Sequence, residues 1–367
     1  MKIAVCTHRL TGGGAERVAS LWIKGFVDQG HEVSVILGDS YQPQTYSIPD
    51  CVKVYDVNPH IPIHKLRYGW MMIDKGLKLR KMKQNLHTIN PDVVISVLPH
   101  WGPLIYEAKG SIHFKVIGTD HNAYELPEGI EMSELQKYLK FEFNKRFDAV
   151  TVLTNADKTY ISSLLSNVFV LPNPLTFKPV DTIPEKKKII MASGRLDVWH
   201  VKGFDVLIKA WGEVAHRHPD WILQIAGSAS KDINYRKILD FISEANVQHS
   251  VNLLGFCEDI QSLYKDASIF VLSSRYEGFG MVLTEAMSQG CACIACDYKG
   301  RQKEIIRDPS EGIVCSPDDV NELAEAIDRM ICDDDYRKAV QIRSVERSND
   351  FSLEKIMDKW NTIMNEI

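Results

Sequence analysis

The stretch Ser273-Ser-Arg-Tyr-Glu-Gly-Phe-Gly-Met-Val-Leu-Thr-Glu-Ala-Met287 decides how the rest of the chain is interpreted. The six residues before it, 267–272, are apolar and β-prone, which predicts a buried strand. Gly278 and Gly280 allow backbone conformations that other residues rarely adopt, and residues that favour helix follow as far as Gly290. A strand, a glycine turn and a helix N-terminus together present unpaired N–H groups, so this turn is suited to an anion such as a phosphate.

Two carboxylates flank this turn. Glu277 lies in the turn, and Glu285 lies one turn inside the predicted helix. Their separation argues against a shared metal ion or a shared proton. It suits two hydroxyl-bearing groups, a sugar and a ribose, that are held on either side of an anion such as a diphosphate. Either glutamate taken alone is more simply interpreted as a solvated acid.

Length and composition indicate a soluble protein of two domains. The chain has 367 residues, of which 45% are hydrophobic and 25% are charged. A net charge of −5 gives no reason to expect nucleic acid. No window has the roughly 18 apolar residues of a membrane helix, and the N-terminus resembles a first strand more than a signal peptide. We therefore expect a cytoplasmic protein.

The sequence suggests no metal site. Cys293 and Cys296 form a C-x-x-C pair within an apolar run, and no second pair or histidine cluster accompanies it, which favours a buried strand. The acidic run Asp333–Asp335 is interpreted as the N-terminal cap of a helix.

The spacing of Glu277 and Glu285 around Gly278-Phe279-Gly280 resembles the E-x7-E motif of the GT4 family, retaining glycosyltransferases of the GT-B fold. In that family the first glutamate meets the donor sugar and the second binds the ribose. A second motif, Gly194-Arg-Leu196 followed by Lys202-Gly203, also resembles the family. Arg195 and Lys202 flank a predicted strand-to-helix crossover, where they would form a cationic clamp on a diphosphate. The alternative is two solvated side chains.

Other matches are shorter. Asn173-Pro174 resembles the family signature that precedes the second domain, and the turn after strand 251–254, with Phe256, lines the nucleobase in GT4 proteins. Residues 300–306 resemble a Gly-x-x-x-Glu-Ile-Ile segment. Many relatives have Gly-Pro-Arg-Glu there, whereas this chain has Arg301-Gln-Lys-Glu304.

The first half begins with a predicted strand, 2–7, and a Gly12-Gly-Gly14 turn before a helix. The turn matches neither a P-loop nor a dinucleotide-binding motif. In GT4 proteins a similar turn faces the donor phosphates and the acceptor, which makes Gly13, Gly14 and Arg17 candidates. His100 and His121 follow two further predicted strands, at ends where α/β sheets bind ligands. The family often has a histidine at the second position, where it hydrogen-bonds a sugar hydroxyl and is not a base.

Residues 61–85 combine basic and apolar side chains. Seven are basic and one, Asp74, is acidic, with Trp70, Met71 and Met72 among them. Such helices often lie on anionic membranes. The alternative is a solvated helix that packs its methionines and leucines on the core.

The resemblance implies an α/β protein with the GT-B fold, two doubly wound Rossmann-like domains facing a cleft. We expect an acceptor-side domain at 1–175, to which the helix at 352–367 packs back, and a donor domain at 188–350. The implied activity is transfer of a hexose (galactose, glucose or an N-acetylhexosamine) from a UDP-linked sugar to a lipid or lipid-linked glycan. The resemblance also implies that the configuration of the anomeric carbon is retained and that neither a cofactor nor a metal ion is needed. The enzyme would act at the inner face of the cell membrane. Alternatives are a non-catalytic sugar-nucleotide binding protein and a GT-B epimerase.

The residues assigned to this site fall into three groups. They are Glu277, His121, Arg195 and Lys202 for catalysis; Gly14, Asn173, Gly194, Phe256, Gly278, Phe279, Gly280, Met281, Val282 and Glu285 for the donor; and Gly13, Arg17 and His100 for the acceptor.

Overall fold

The computed structural model describes residues 1–39, 44–58, 69–230 and 232–367, except the side chains of 69–73 and 232. The chain divides into two units. Unit 1 comprises Met1–Thr176 and Leu353–Ile367, and unit 2 comprises Phe177–Ser352.

Unit 1 is built on a parallel sheet whose seven described strands have the order β3-β2-β1-β4-β5-β6-β7. The strands are β1 Lys2–Thr7, β2 Glu32–Leu37, β3 Lys53–Asp56, β4 Val93–Val97, β5 Lys115–Thr119, β6 Ala149–Val152 and β7 Val168–Val170. The helices between them are α1 Gly14–Asp28, α2 Gly69–Ile89, α3 Gly102–Lys109, α4 Glu134–Lys137 and α5 Asn155–Ile161.

Unit 2 repeats the arrangement with six strands, in the order β10-β9-β8-β11-β12-β13. These are β8 Lys187–Ser193, β9 Ile222–Ala226, β10 Val251–Gly255, β11 Ala267–Leu272, β12 Ala292–Cys296 and β13 Ile313–Cys315. Its helices are α6 Trp199–Lys202, α7 Phe204–Val214, α8 Asp232–Glu244, α9 Ile260–Asp266, α10 Met281–Ser288, α11 Val320–Cys332 and α12 Asp334–Ser348.

The strand order fixes where each unit can bind a ligand. In each sheet the order reverses direction next to the first strand, between β1 and β4 in unit 1 and between β8 and β11 in unit 2. Connections diverge at this point, so they leave an opening beyond the carboxyl ends of the two strands. The predicted doubly wound architecture is confirmed in both units.

The C-x-x-C and the acidic run have the structures that the sequence predicted. Cys293 and Cys296 are buried in β12 with free thiols. The Asp333 carboxylate caps α12 by accepting a hydrogen bond from the Tyr336 N–H at 2.9 Å. No helix within the described ranges has both the length and the apolar composition needed to span a bilayer.

One element differs from the regular helix that its sequence predicts. The amphipathic pattern of residues 133–147 predicts a single helix, but α4 is followed by a π-helical turn at Tyr138–Glu142 and a 3₁₀ turn at Phe143–Arg146. A π turn takes up about one more residue than an α turn. Asn144, five residues after Leu139, is thereby buried together with Phe143, and its amide donates to the Tyr124 hydroxyl at 3.3 Å.

The last helix, α13 Leu353–Glu366, belongs to unit 1 although it follows unit 2 in the chain. Trp360 on α13 is fully buried, with its ring 5.1 Å from that of Trp22 and 5.4 Å from that of Phe26, both on α1. Close packing also explains Gly25, because a Cβ there would lie 2.5 Å from the Met357 sulfur. Aromatic and methionine contacts thus attach α13 to α1.

We expect Trp360→Ala to destabilise unit 1 by about 3–5 kcal/mol, because removing a buried indole loses its transfer energy and leaves a cavity. Urea unfolding measures the effect. Lys359→Ala, at the exposed neighbouring position, is the control and should change stability by less than about 0.5 kcal/mol. A Trp360 variant as stable as this control would contradict the packing described here.

Candidate functional site

The site in unit 2 starts from a close backbone contact between two loops. Gly203 precedes α7 with φ = 64°, and a Cβ on it would lie 1.9 Å from the Ser273 carbonyl oxygen. Only glycine fits such a position. The Ser273 hydroxyl donates to the Lys202 carbonyl at 2.9 Å and fixes the same contact. These contacts therefore fix the loop after α6 and the loop after β11 relative to each other.

Arg275 binds the same two loops together from the other side. Its Nη1 and Nη2 donate to the two Asp205 carboxylate oxygens at 2.8 Å each, and its Nη1 also donates to the His200 carbonyl at 2.6 Å. Its backbone N–H donates to the Val201 carbonyl at 2.9 Å. Burial would raise the pKa of Asp205, but the hydrogen bonds and charge of Arg275 outweigh it, so that pKa lies below its ordinary value. Asp205 is therefore charged at neutral pH.

These contacts place Lys202 beside Glu277. The Lys202 ammonium lies 2.6 Å from Glu277 Oε1, and the Ser274 hydroxyl donates to the same oxygen at 2.8 Å. The two charged side chains are 23% and 13% exposed. A partly buried ion pair at the end of β11 can exchange partners when another anion arrives, because the ammonium has three donors.

The glycine turn after β11 leads directly into α10. Gly280 is the N-cap, with φ = 90°, and has no side chain that could cap the first N–H groups. These groups and the positive end of the helix dipole favour an anion. Phe279 is buried and packs its ring edge-on against Phe351 at 5.5 Å, and Glu285 is 3% exposed. Gly278, Met281 and Val282 are half-buried.

The remaining donor-side candidates lie beyond the neighbouring strands. Gly194 follows β8, and its backbone contacts Gly227 so closely that a Cβ on Gly227 would lie 1.8 Å from the Gly194 oxygen. Arg195 is 74% exposed, with its guanidinium 3.8 Å from the Asp197 carboxylate. Phe256, after β10, is 76% exposed. Arg195 is thus turned to solvent, whereas Lys202 is held in the loop contact, and their joint clamp stays a prediction.

In unit 1, His121 and Asn173 are brought together beyond β5. His121 Nδ1 lies 3.2 Å from the Asn173 amide oxygen, which can only accept, so Nδ1 carries the proton. The Trp22 ring lies 5.3 Å from the imidazole. Burial lowers the pKa of His121 to about 4, against the opposing effects of Asp120 and of the Asn173 hydrogen bond. The ring is therefore neutral at neutral pH, and its unprotonated Nε2 can accept a hydrogen bond from a hydroxyl.

The acceptor-side candidates occupy two other places in unit 1. Gly13 is the N-cap of α1 and Gly14 is its first residue, while the Arg17 guanidinium lies 5.4 Å from the centre of the Tyr46 ring. His100 lies in a 3₁₀ turn after β4, and burial together with the charge of His8 lowers its pKa. Like His121, it lies beyond the carboxyl end of its strand.

No motif marks the residues that hold the site in place. Arg275 stands in the stretch 273–287, yet its partner Asp205 lies 70 residues away in the chain, and no spacing reveals the pair. The unusual Arg301 and Gln302 are both fully buried. The Gln302 amide oxygen accepts from the Tyr298 N–H at 2.6 Å, and the Arg301 guanidinium lies 5.0 Å from the centre of the Tyr298 ring. The two residues that depart from the family pattern, Arg301 and Gln302, are thus buried within their own loop.

The basic stretch is described only in part. Residues 61–68 and the side chains of Trp70 to Ile73 lie outside the described residues. In the rest of α2, apolar side chains face the core, namely Met82, Leu86 and Ile89. Lys78 pairs with Asp74 at 2.8 Å, and Lys81 with Asp56 at 2.8 Å. The exposed basic side chains are Lys75, Arg80 and Lys83.

Comparisons with known proteins cover almost the whole chain. The family model described as "Glycosyltransferase Family 4" matches residues 12–176, and that described as "Glycosyl transferases group 1" matches residues 175–346. An uncharacterized glycosyltransferase of Haemophilus influenzae is 26% identical, over 96% of this chain and 97% of its own. A Campylobacter jejuni GalNAc-alpha-(1->4)-GalNAc-alpha-(1->3)-diNAcBac-PP-undecaprenol alpha-1,4-N-acetyl-D-galactosaminyltransferase is also 26% identical, over 100% of this chain and 99% of its own.

A solved structure supports the fold. The Anabaena protein Alr3699/HepE, in complex with UDP, superposes with a TM-score of 0.81 at 19% identity, over 100% of both chains. The two parallel sheets, the two family models and this superposition agree. The chain belongs to the GT4-type glycosyltransferases and has the GT-B fold.

Proposed function

We propose that this chain is a retaining, metal-independent hexosyltransferase that transfers a sugar from a UDP-linked donor to a lipid or lipid-linked glycan. The observation that carries the proposal is the Lys202–Glu277 pair next to the α10 N-terminus, at the point where the strand order of unit 2 reverses. Support for the nucleotide comes from the Anabaena structure, which was solved with UDP. Support for the acceptor comes from the Campylobacter relative, whose name contains an undecaprenol diphosphate.

Unit 2 supplies the electrostatics that the reaction needs. When the bond between the anomeric carbon and the diphosphate breaks, negative charge develops on the diphosphate and positive charge on the sugar. Lys202 and the first N–H groups of α10 stabilise the departing diphosphate, with Arg195 at its outer side. Glu277, released from Lys202 by the incoming phosphate, accepts hydrogen bonds from the sugar hydroxyls, and Glu285 binds the ribose.

Retention follows if the acceptor attacks the same face that the diphosphate leaves. The acceptor hydroxyl bonds to the anomeric carbon as the carbon–phosphate oxygen bond breaks, and its proton passes to an oxygen of the departing diphosphate. The sugar passes through a flattened, oxocarbenium-like state, as in glycoside hydrolysis. His121 is neutral, so its role in unit 1 is a hydrogen bond to a sugar hydroxyl and not proton transfer.

The exposed basic residues of α2 support a reversible attachment to an anionic bilayer. Each lysine or arginine near such a surface contributes about 1 kcal/mol. Arg80 and Lys83 are exposed, and so is Lys75, although its ammonium lies 3.5 Å from the Glu107 carboxylate. Lys81, in contrast, is held by Asp56 and by the Asn58 carbonyl at 2.6 Å. The attachment proposed here is therefore electrostatic and peripheral.

Lys202→Ala should reduce the transfer rate about a hundredfold while the fold survives, because one charged contact to the developing anion is lost. The rate is measured by release of UDP in the presence of acceptor. Lys209→Ala, on the exposed side of α7, is the matched control and should transfer normally. If Lys202→Ala also transfers at the normal rate, the lysine has no part in binding the diphosphate.

Removal of divalent metals should leave transfer within about twofold of its original rate, because Lys202 and the α10 N-terminus take the place of a metal at the diphosphate. The assay compares turnover in excess EDTA with turnover in added Mg²⁺ or Mn²⁺. Complete loss of turnover in EDTA, restored by Mg²⁺ or Mn²⁺, would mean that the donor is bound through a metal ion.

The protein should sediment with vesicles that contain anionic lipid, and less so at high salt, because exposed charges are screened. The triple variant Lys75→Glu, Arg80→Glu, Lys83→Glu should lose this binding. The control carries the same change of charge at three other exposed lysines, Lys209→Glu, Lys237→Glu and Lys359→Glu. Equal loss in both variants, or no binding of the original protein at low salt, would remove the role assigned to α2.

A further inference from the structure

Three metal-binding side chains converge at the amino-terminal edge of the second sheet, opposite the edge that holds Lys202 and Glu277. His218 lies four residues before β9, and Asp328 and Cys332 lie one turn apart at the end of α11. Their ligand atoms all lie within 4.8 Å of one another, which is true of no other group of three such side chains among the described residues. The cluster joins the turn before β9 to the end of α11.

The three ligand atoms are close enough for one small metal ion to replace the hydrogen bonds between them. His218 Nε2 lies 2.7 Å from Asp328 Oδ1, and Cys332 Sγ lies 4.0 Å from Nε2 and 3.9 Å from Oδ1. Zinc binds histidine nitrogen at about 2.0–2.1 Å, carboxylate oxygen at about 2.0–2.2 Å and thiolate sulfur at about 2.3 Å, so the ligand atoms of a tetrahedral site lie about 3.4–3.6 Å apart. Zinc binding therefore shortens the two sulfur distances by about 0.4 Å and separates the nitrogen from the oxygen by about 0.7 Å, which exchanges their hydrogen bond for two bonds to the metal.

The chemistry of the three ligands selects the metal. Imidazole and thiolate favour zinc and other late transition metals, whereas Mg²⁺ and Ca²⁺ prefer oxygen ligands. A thiolate and a carboxylate also balance the two charges of Zn²⁺. The His218 and Asp328 side chains are 12% and 25% exposed and Cys332 is exposed, so an ion can reach the site and a water molecule can complete the tetrahedron.

Arg217 orients the carboxylate without occupying the site. Its Nη1 lies 3.0 Å from Asp328 Oδ2, the oxygen that does not contact His218. Partners of this kind hold a ligand in place in known metal sites. Cys332 follows Asp328 by one helical turn, so its thiol can hydrogen-bond weakly to Asp328 Oδ1, and it also lies 4.0 Å from His218 Nε2 on the turn before β9. The meeting of an imidazole, a carboxylate and a thiol from two separate elements is the observation that points to a metal.

We propose that His218, Asp328 and Cys332 form a zinc site that clips the turn before β9 to the end of α11. Binding replaces the proton of the Cys332 thiol, which is released to solvent, and the neutral imidazole donates its Nε2 lone pair. Because the folded protein presents all three ligands together and the unfolded chain does not, zinc stabilises unit 2. The site lies at the opposite edge of the sheet from the donor site, so it has no part in sugar transfer.

The test uses the full-length protein, freed of metal by chelation and dialysis and titrated with Zn²⁺ by calorimetry. We expect one equivalent to bind, and the midpoint of thermal unfolding to rise by several degrees at zinc about a hundredfold above Kd. Co²⁺ in place of Zn²⁺ should produce the thiolate-to-cobalt absorption band. The transfer rate at moderate temperature should not change.

Two ligand variants and a matched control make the result specific. Cys332→Ser and His218→Gln should each weaken Zn²⁺ binding at least tenfold, and Cys332→Ser should abolish the Co²⁺ band. Cys51→Ser changes another exposed cysteine, in unit 1, and should bind as the original protein does. Zinc binding that is undetectable below millimolar concentration, or that is equal in the Cys332 and Cys51 variants, would overturn the proposal. An unchanged thermal midpoint in saturating zinc would also overturn it.

Discussion

The contact between Gly203 and the Ser273 carbonyl is the constraint on which the site of unit 2 depends. A side chain at position 203 would collide with backbone that cannot move away, because Arg275 ties its own loop to Asp205 and to the carbonyls of the loop before α7. With the two loops fixed, the Lys202 ammonium lies beside the Glu277 carboxylate. Backbone packing thus positions the charges.

The two units differ in the charge of their candidate residues. In unit 2, Lys202 and the uncapped first turn of α10 carry positive charge, while His121 in unit 1 stays neutral because burial lowers its pKa to about 4. Within unit 1, the His121 ring lies against Trp22, which in turn lies against Trp360 of the last helix. The C-terminal helix therefore supports the surroundings of the histidine as well as the fold.

The fold could be predicted from the sequence because glycine turns and apolar runs mark the strand ends. The same patterns located Lys202, Glu277 and Gly280, and their resemblance to a family gave them roles. Residues whose partners are distant in the chain could not be found in this way, as with Arg275 and Asp205, or with His218 and Asp328 at the other edge of the sheet. The sequence does not reveal the π turn after α4, because the apolar residues Leu139, Phe143 and Phe147 keep a four-residue spacing that is typical of one continuous helix.

The central claim is that the Lys202 ammonium and the α10 N-terminus bind the diphosphate of the donor. A crystal structure of the protein with UDP tests it most directly. The account predicts a β-phosphate oxygen within about 3.2 Å of Lys202 Nζ and a second one at the same distance from a backbone N–H of the first turn of α10. A structure in which Lys202 remains on Glu277 and the phosphates lie beyond hydrogen-bonding distance of both groups would contradict the claim.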